Sequence, residues 1–206
     1  MSFAEKSLFL GALVLITEKQ EVITMNQFRK FHITDFPADR IFVLLKDDFN
    51  KDLFGFISDD KFDLFNINFF NGRLNCHTFK QWKYRQHFIP LWFLIDFYNH
   101  FSDSFPLSLI ERNIEAYKGP SVSSIITSPV IPLIEDGRML KILAHTLGDG
   151  YVGGAFGTKL PKGKSHSEYR NFSPHLLDQF RRDLAVFGDV PTTINYEHGH
   201  VIFPNS

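Results

Sequence analysis

The sequence predicts an α+β protein, and three observations favour that class. Helical apolar spacing and short alternating, strand-like segments both occur along the 206-residue chain. Phenylalanine is unevenly placed: nineteen of the 24 fall in residues 1–105, none in 106–155 and five in 156–206, which indicates two separate cores. The last third of the chain has the pattern helix–strand–strand–helix–strand–strand.

Composition and cysteine content exclude several classes of protein. A hydrophobic fraction of 44%, a charged fraction of 22% and a net charge of −1 exclude wholesale disorder and collagen-like structure. The single cysteine, Cys76, excludes an internal disulfide framework and a multi-thiolate zinc site, so we expect a reducing, cytoplasmic (intracellular) location. The apolar run 8–16 is too short to span a bilayer, and we expect no membrane partner.

The N-terminal region, residues 1–62, is aromatic and acidic. Its apolar run is expected to be an ordinary buried segment, with a signal-peptide core as the alternative; Met25 is a second candidate start of translation. Between Asp35 and Asp63 there are eight aspartates against four basic residues, with no calcium-loop spacing, so a solvated face is expected. The stretch 41–45 fits either a strand or a short helix.

Residues 63–105 predict a helix–turn–helix. Helices are expected at Asp63–Phe70 and Thr78–Tyr84, on either side of the Asn71-Gly72 turn, with His77 or Thr78 capping the second. A supporting helix is expected over 91–101. The second helix carries the side chains predicted to contact DNA: Lys80, Gln81, Lys83 and Arg85. The alternative is a small helical subdomain with an ordinary basic surface.

Residues 106–135 are expected to form a linker, because proline, glycine and serine punctuate them. The domain boundary is placed near residue 128. The remaining residues, 136–206, are expected to form the second domain.

The most informative stretch is 139–154, which begins with an apolar helical pattern. Ala144 and Gly148 lie four residues apart and form a small-residue stripe that permits close helix packing. Gly150, which tolerates a positive φ angle, is expected to end the helix. Asp149 is expected at the helix C-terminus, where the macrodipole disfavours a carboxylate, so a compensating cation is expected, with a divalent metal as one candidate.

The segment Ile142–Gly150, ILAHTLGDG, resembles the motif that names the LAGLIDADG homing endonucleases and related DNA-binding proteins. In this resemblance Asp149 matches the metal-binding acid, Gly150 the final glycine, and Ala144 and Gly148 the two small positions. The motif departs from the family at Leu147, where the other acid is usual, and at His145.

The residues after the motif extend the resemblance over 136–206. Strands are expected at 151–156, 165–169, 191–196 and 200–203, and a helix at His175–Phe187 with Ser173 as N-cap and Pro174 in the first turn. This order resembles the LAGLIDADG-type αββαββ half-saddle domain. The family normally has a further helix after the fourth strand, which leaves open whether the domain is C-terminally incomplete. Residues 78–92 resemble the helix-turn-helix of some archaeal-type members.

The resemblance implies a site-specific, Mg²⁺-dependent endonuclease acting on double-stranded DNA. Asp149 would be catalytic, and Asp149 and Gly150 would hold the metal. Because family members pair two motifs, the resemblance implies a homodimer, or a second LAGLIDADG repeat in a longer chain, joined through Ala144 and Gly148. The expected DNA contacts in this domain are Lys159, Lys162, Lys164, His166 and Arg170.

Two other functions stay open at this point. The first is a non-cleaving transcriptional regulator derived from the same fold, and the second is an interaction module that does not bind DNA. His198 and His200 flank a hairpin glycine without a third ligand nearby, so a zinc site is not expected there.

Overall fold

The computed structural model describes residues 28–57, 61–120, 124–151 and 166–204. It combines helices with antiparallel strands, which confirms the predicted α+β class. Two clusters of buried residues form separate cores, one within residues 33–114 and one within residues 142–201. In chain order the first half comprises β1 (Lys30–Phe31), β2 (Phe42–Leu45), α1 (Asp47–Gly55), α2 (Phe62–Phe70), α3 (Cys76–Lys83), β3 (Ile89–Pro90), α4 (Leu91–Phe101), α5 (Leu107–Arg112), β4 (Ile114–Lys118), β5 (Ile126–Thr127) and β6 (Leu133–Ile134).

Packed phenylalanine rings hold the first half together. Phe93 is fully buried and lies 5.9 Å from Phe54 and 5.1 Å from Phe70, measured between ring centroids. Phe54 also contacts Phe79 at 5.1 Å. Residues from 1–62 and 63–105 therefore share one core, which joins two regions that the sequence separates by charge and composition.

The three helices expected around the Asn71-Gly72 turn are present. Asn71 ends α2 in the left-handed conformation with φ of 51°, which asparagine tolerates. The predicted caps of α3 are wrong, because the helix begins two residues earlier. The N-cap is Asn75, whose Oδ1 accepts hydrogen bonds from the backbone N–H groups of His77 and Thr78 at 2.9 and 3.3 Å.

The linker prediction for residues 106–135 is wrong over 107–118. Pro106 is the N-cap of α5, and Gly119-Pro120 follows the end of β4. The proline and glycine residues mark the boundaries of these elements and do not indicate an irregular connection. Strand β4 lies between β2 and β5 in the antiparallel order β3-β2-β4-β5, so it belongs to the first sheet.

In the described part of the second half of the chain, helices cover the buried face of a four-stranded sheet. Its elements are α6 (Gly137–Asp149), β7 (Gly150–Tyr151), β8 (His166–Arg170), α7 (Pro174–Asp183), a short 3-10 helix (Leu184–Phe187), β9 (Thr193–Asn195) and β10 (His200–Pro204). The strands are antiparallel in the order β7-β8-β10-β9. Pro174 lies in the first turn of α7, as expected, although the Ser173 hydroxyl makes no capping bond. Most of the strand expected at 151–156 lies outside the described residues.

Contacts tie the second half to the first. Strand β1 pairs with β6, which directly precedes α6. The hydroxyl of Tyr117 in β4 donates to the carbonyl of Phe187 at 3.3 Å, and burial raises the pKa of that hydroxyl. The longest helix in the described part is α6, with 13 residues. Nothing in the described ranges is a helix long and apolar enough to cross a membrane.

Candidate functional site

Helix α6 begins at a carboxylate cap. The Asp136 side chain accepts hydrogen bonds from the backbone N–H groups of Arg138 and Met139 at 2.9 and 3.0 Å. The Met139 bond chiefly lowers the pKa of the Asp136 carboxyl, and the Arg138 side chain lowers it further. Two N–H groups at the open end of the helix are thereby satisfied, which fixes the start of the motif helix.

Replacing the cap is expected to destabilise the protein in a pH-dependent way. Asp136→Ala should lower the free energy of unfolding by about 1 kcal/mol at neutral pH. Because the folded-state pKa is depressed, this contribution is present above the unfolded value of about 3.9 and is lost as pH falls through the folded value. Urea unfolding of the wild type and of Asp136→Ala at neutral and acidic pH measures this contribution to the free energy of unfolding. Glu135→Ala is the matched control, and an equal loss in both variants would contradict the cap assignment.

The inner face of α6 packs on the sheet and on α7. Ile142 is buried, and the half-buried His145 ring contacts the rings of Tyr169 and Phe180 edge-on at centroid distances of 4.9 and 6.1 Å. The backbone of Gly150 pairs with Tyr169, which places this tyrosine beneath the end of α6. Burial raises the pKa of the Tyr169 hydroxyl, and the charge of Asp149 raises it further. The atypical motif residue His145 is therefore a packing residue.

The outer face of α6 is apolar and has no cover within the described residues. Leu140, Leu143 and Leu147 are 54%, 48% and 82% exposed. Ala144 and Gly148 are also exposed, and a Cβ atom added at Gly148 would meet nothing within 4 Å. These five residues, at spacings of three and four, form one stripe along the helix. We call it the outer stripe of α6.

Asp149 and Gly150 lie at the end of this stripe. Asp149 is the last residue of α6, and its side chain is exposed. Gly150 directly follows the last residue of the helix, as expected, but it does not use a positive φ: its φ is −95° and its backbone is extended. Glycine is required there for space, because a Cβ atom would lie 2.5 Å from the Cα of Thr146. Within the described ranges, no three His, Cys, Asp or Glu side chains are grouped closely enough to hold a metal ion.

The outer face of the second sheet brings together polar residues from three strands. His200 pairs with Arg170 on one side and with Asn195 on the other, so these three side chains share a face. Val201, paired with Tyr169, points to the core. Asn195 and His200 are missing from the sites predicted by sequence. The alternation along β10 was the available signal, but the pairing partners depend on the register.

Only some of the basic residues predicted to contact DNA from this domain lie in the described part of the chain. Lys159, Lys162 and Lys164 lie outside the described residues. His166 belongs to β8, where its backbone pairs with Pro204. The Arg170 side chain is 63% exposed, and its guanidinium contacts the carboxylate of Glu168 at 2.8 Å.

The side chains of α3 and of the turn after it that are predicted to contact DNA have different surroundings. Lys80 is exposed. The Gln81 amide contacts the His77 ring at 3.0 Å, and Lys83 is half-buried. Arg85 forms ion pairs with Asp47 and Glu115, so its charge is neutralised within the protein. Lys80 is therefore the cation of this group best placed to meet a phosphate.

Comparison with known proteins returns no match to a family model, a curated protein or a solved structure. The site consists of an exposed carboxylate, an apolar helix face beside it and a polar sheet face. A function has to be inferred from these features together.

Proposed function

We propose that the protein is a LAGLIDADG-type DNA-binding protein that cleaves double-stranded DNA at a specific site in a Mg²⁺-dependent reaction. The observation that carries this proposal is the outer stripe of α6, which leads directly to the exposed carboxylate of Asp149. A helix with Leu140, Leu143 and Leu147 on its solvent side has a surface suited to a partner. The first sheet and its helices would add a second DNA contact through Lys80.

Pairing of two motif helices explains the composition of the stripe. Small side chains at Ala144 and Gly148 let two helix backbones approach closely, and the leucines on either side supply the buried apolar area. Two helices paired through this face would bring two copies of Asp149 near one another. The partner is a second copy of the chain, forming a homodimer, or a second LAGLIDADG repeat.

The donor chemistry fits Mg²⁺ with DNA bound. Mg²⁺ is commonly held by one or two carboxylates together with substrate phosphates and waters. Asp149 from each copy supplies a carboxylate, and the Gly150 carbonyl is an adjacent oxygen. When bound, the ion would activate water and stabilise the leaving oxygen of the phosphodiester. The exposure of Asp149 leaves its carboxylate accessible to a phosphate.

The outer face of the second sheet supplies the side chains for the duplex. Arg170, Asn195 and His200 form a polar row across three strands, with donors suited to phosphate oxygens and base edges. A carboxylate, Glu168, lies in the same strand as Arg170 and pairs with it. This pairing orients the guanidinium.

One observation favours a second function, that of a non-cleaving DNA-binding regulator. The position of the family's other acid is occupied by Leu147, which is 82% exposed. Each chain keeps Asp149 at the metal-binding position but lacks the second acid that is usual in the family motif. A protein that keeps the paired helices and the sheet face but has lost metal-dependent hydrolysis would have these features.

Binding and cleavage assays with a library of duplexes separate the functions. The endonuclease should bind DNA with an affinity that falls steeply with KCl concentration, and should cut a subset of duplexes with Mg²⁺ but not with EDTA. Salt-dependent binding without cleavage would exclude the nuclease and support the regulator. Absent or salt-insensitive binding would exclude both in favour of an interaction module.

A further inference from the structure

One side chain on the second half of the molecule is almost wholly exposed although it is strongly apolar. Phe172, in the loop between β8 and α7, is 92% exposed, a larger fraction than that of the other large apolar side chains in the described ranges. A phenylalanine in this position contributes almost no burial to folding. Most of its large apolar ring is available to a partner.

The loop that carries Phe172 is held firmly on both sides. The N–H of Asn171 donates to the carbonyl of Gly199 at 2.8 Å, and the N–H of Ser173 donates to Oδ1 of Asn171 at 2.9 Å. Gly199, with φ of 60°, packs so closely that a Cβ atom there would lie 2.6 Å from the Asn171 carbonyl oxygen. The exposed ring therefore projects from a fixed backbone, which reduces the entropy lost on binding.

The residues close to Phe172 in the sequence and on the turn that holds its loop include one arginine and two histidines. Arg170 lies two residues before it, with a side chain that is 63% exposed. The rings of His198 and His200 lie nearly parallel, at a centroid distance of 6.2 Å, on the turn that holds the loop. An exposed aromatic ring two residues from an exposed guanidinium matches a ligand that is both aromatic and anionic. Stacked nucleotides have this chemistry.

We propose that Phe172 stacks on a DNA base and acts as an aromatic wedge at one end of the second sheet. This inference rests on the proposed function, because it assumes that DNA lies on this face. Stacking on an exposed ring needs a base that is partly unstacked, so Phe172 would open a base step in the duplex. Arg170 would contact a neighbouring phosphate, and together these contacts fix the position of the protein along the DNA.

The test uses short duplexes in which 5-iodouracil replaces thymine, since this base crosslinks under ultraviolet light to an aromatic ring stacked on it. Crosslinked peptides are identified by mass spectrometry, and affinity is measured by fluorescence anisotropy without Mg²⁺. Phe172→Ser should bind about tenfold more weakly, whereas Phe172→Trp should keep wild-type affinity. Phe28→Ser removes another exposed phenylalanine, one that lies outside the sheet, and is the matched control.

The outcomes separate this inference from the proposed function. Crosslinking at Phe172 with the tenfold loss in Phe172→Ser alone supports the wedge. DNA binding of equal strength by Phe172→Ser and wild type, with crosslinks only at other residues, overturns the wedge and leaves DNA binding intact. A change of oligomeric state in Phe172→Ser also overturns it, by making Phe172 a subunit contact. Absence of DNA binding by the wild type overturns both proposals.

Discussion

Asp149→Asn should reduce DNA cleavage by at least about 100-fold while DNA binding stays at the wild-type level. The amide keeps the size of the side chain but removes the negative charge that a divalent cation needs, and the loss of metal-based stabilisation is worth several kcal/mol in the transition state. The side chain is exposed at the end of α6, so the substitution should leave the free energy of unfolding nearly unchanged. Single-turnover cleavage of a selected duplex measures the effect.

The matched control is Asp189→Asn, the same chemical change at an exposed aspartate in the second half of the chain. It should cleave at the wild-type rate. Equal cleavage by Asp149→Asn and wild type would remove Asp149 from the catalytic site. A loss of DNA binding in Asp149→Asn would show that the residue acts in binding, which also contradicts the assignment.

Features that depend on local sequence were predicted well. The periodicity around residues 63–70 and 91–101 reflects buried faces of helices, and both helices are present. The helix expected from residue 139 onwards is present too, although Leu140, Leu143 and Leu147 lie on its exposed face. Asn71-Gly72 and Pro174 act at helix ends through their own backbone preferences. The two phenylalanine-rich segments correspond to separate clusters of buried residues, although the first cluster unites both predicted N-terminal regions.

Features that depend on distant partners could not be read from the sequence. Strand β4 interrupts the predicted linker because it pairs with β2, which lies about seventy residues earlier in the chain. Arg85 carries a guanidinium of the kind that contacts DNA, yet Asp47 and Glu115 from two other elements neutralise its charge. At Gly150 the sequence correctly indicates that glycine is special, but the reason is the close backbone of Thr146.

The candidate site also has a part that depends on local sequence and a part that depends on distant partners. Helical spacing places the residues of the outer stripe on one side of α6 and Asp149 at its end, but the exposure of these residues is seen only in the structure. The row formed by Arg170, Asn195 and His200 depends on the register of three strands, since a shift of one residue would turn His200 towards the core. The function of the stripe is not visible in a single chain, because it concerns a surface that the chain itself leaves uncovered.

Gly148→Leu is therefore the sharpest test of that surface, and it should disrupt pairing without harming the fold. A Cβ atom at Gly148 meets nothing within 4 Å, and leucine favours helix over glycine by about 0.5–1 kcal/mol, so the monomer should become slightly more stable. The larger side chain would hold two motif helices apart and separate the two copies of Asp149. Self-association should weaken at least about tenfold, and cleavage should fall with it.

Sedimentation equilibrium and thermal unfolding measure the two effects on the same samples. Gly137→Leu is the matched control: it makes the same change at the other end of α6, at a position where a Cβ atom also meets nothing within 4 Å. It should leave both association and cleavage unchanged. Undiminished pairing in Gly148→Leu would show that the outer stripe of α6 is not the interface. A wild type that cleaves DNA as a monomer would exclude pairing of two copies altogether.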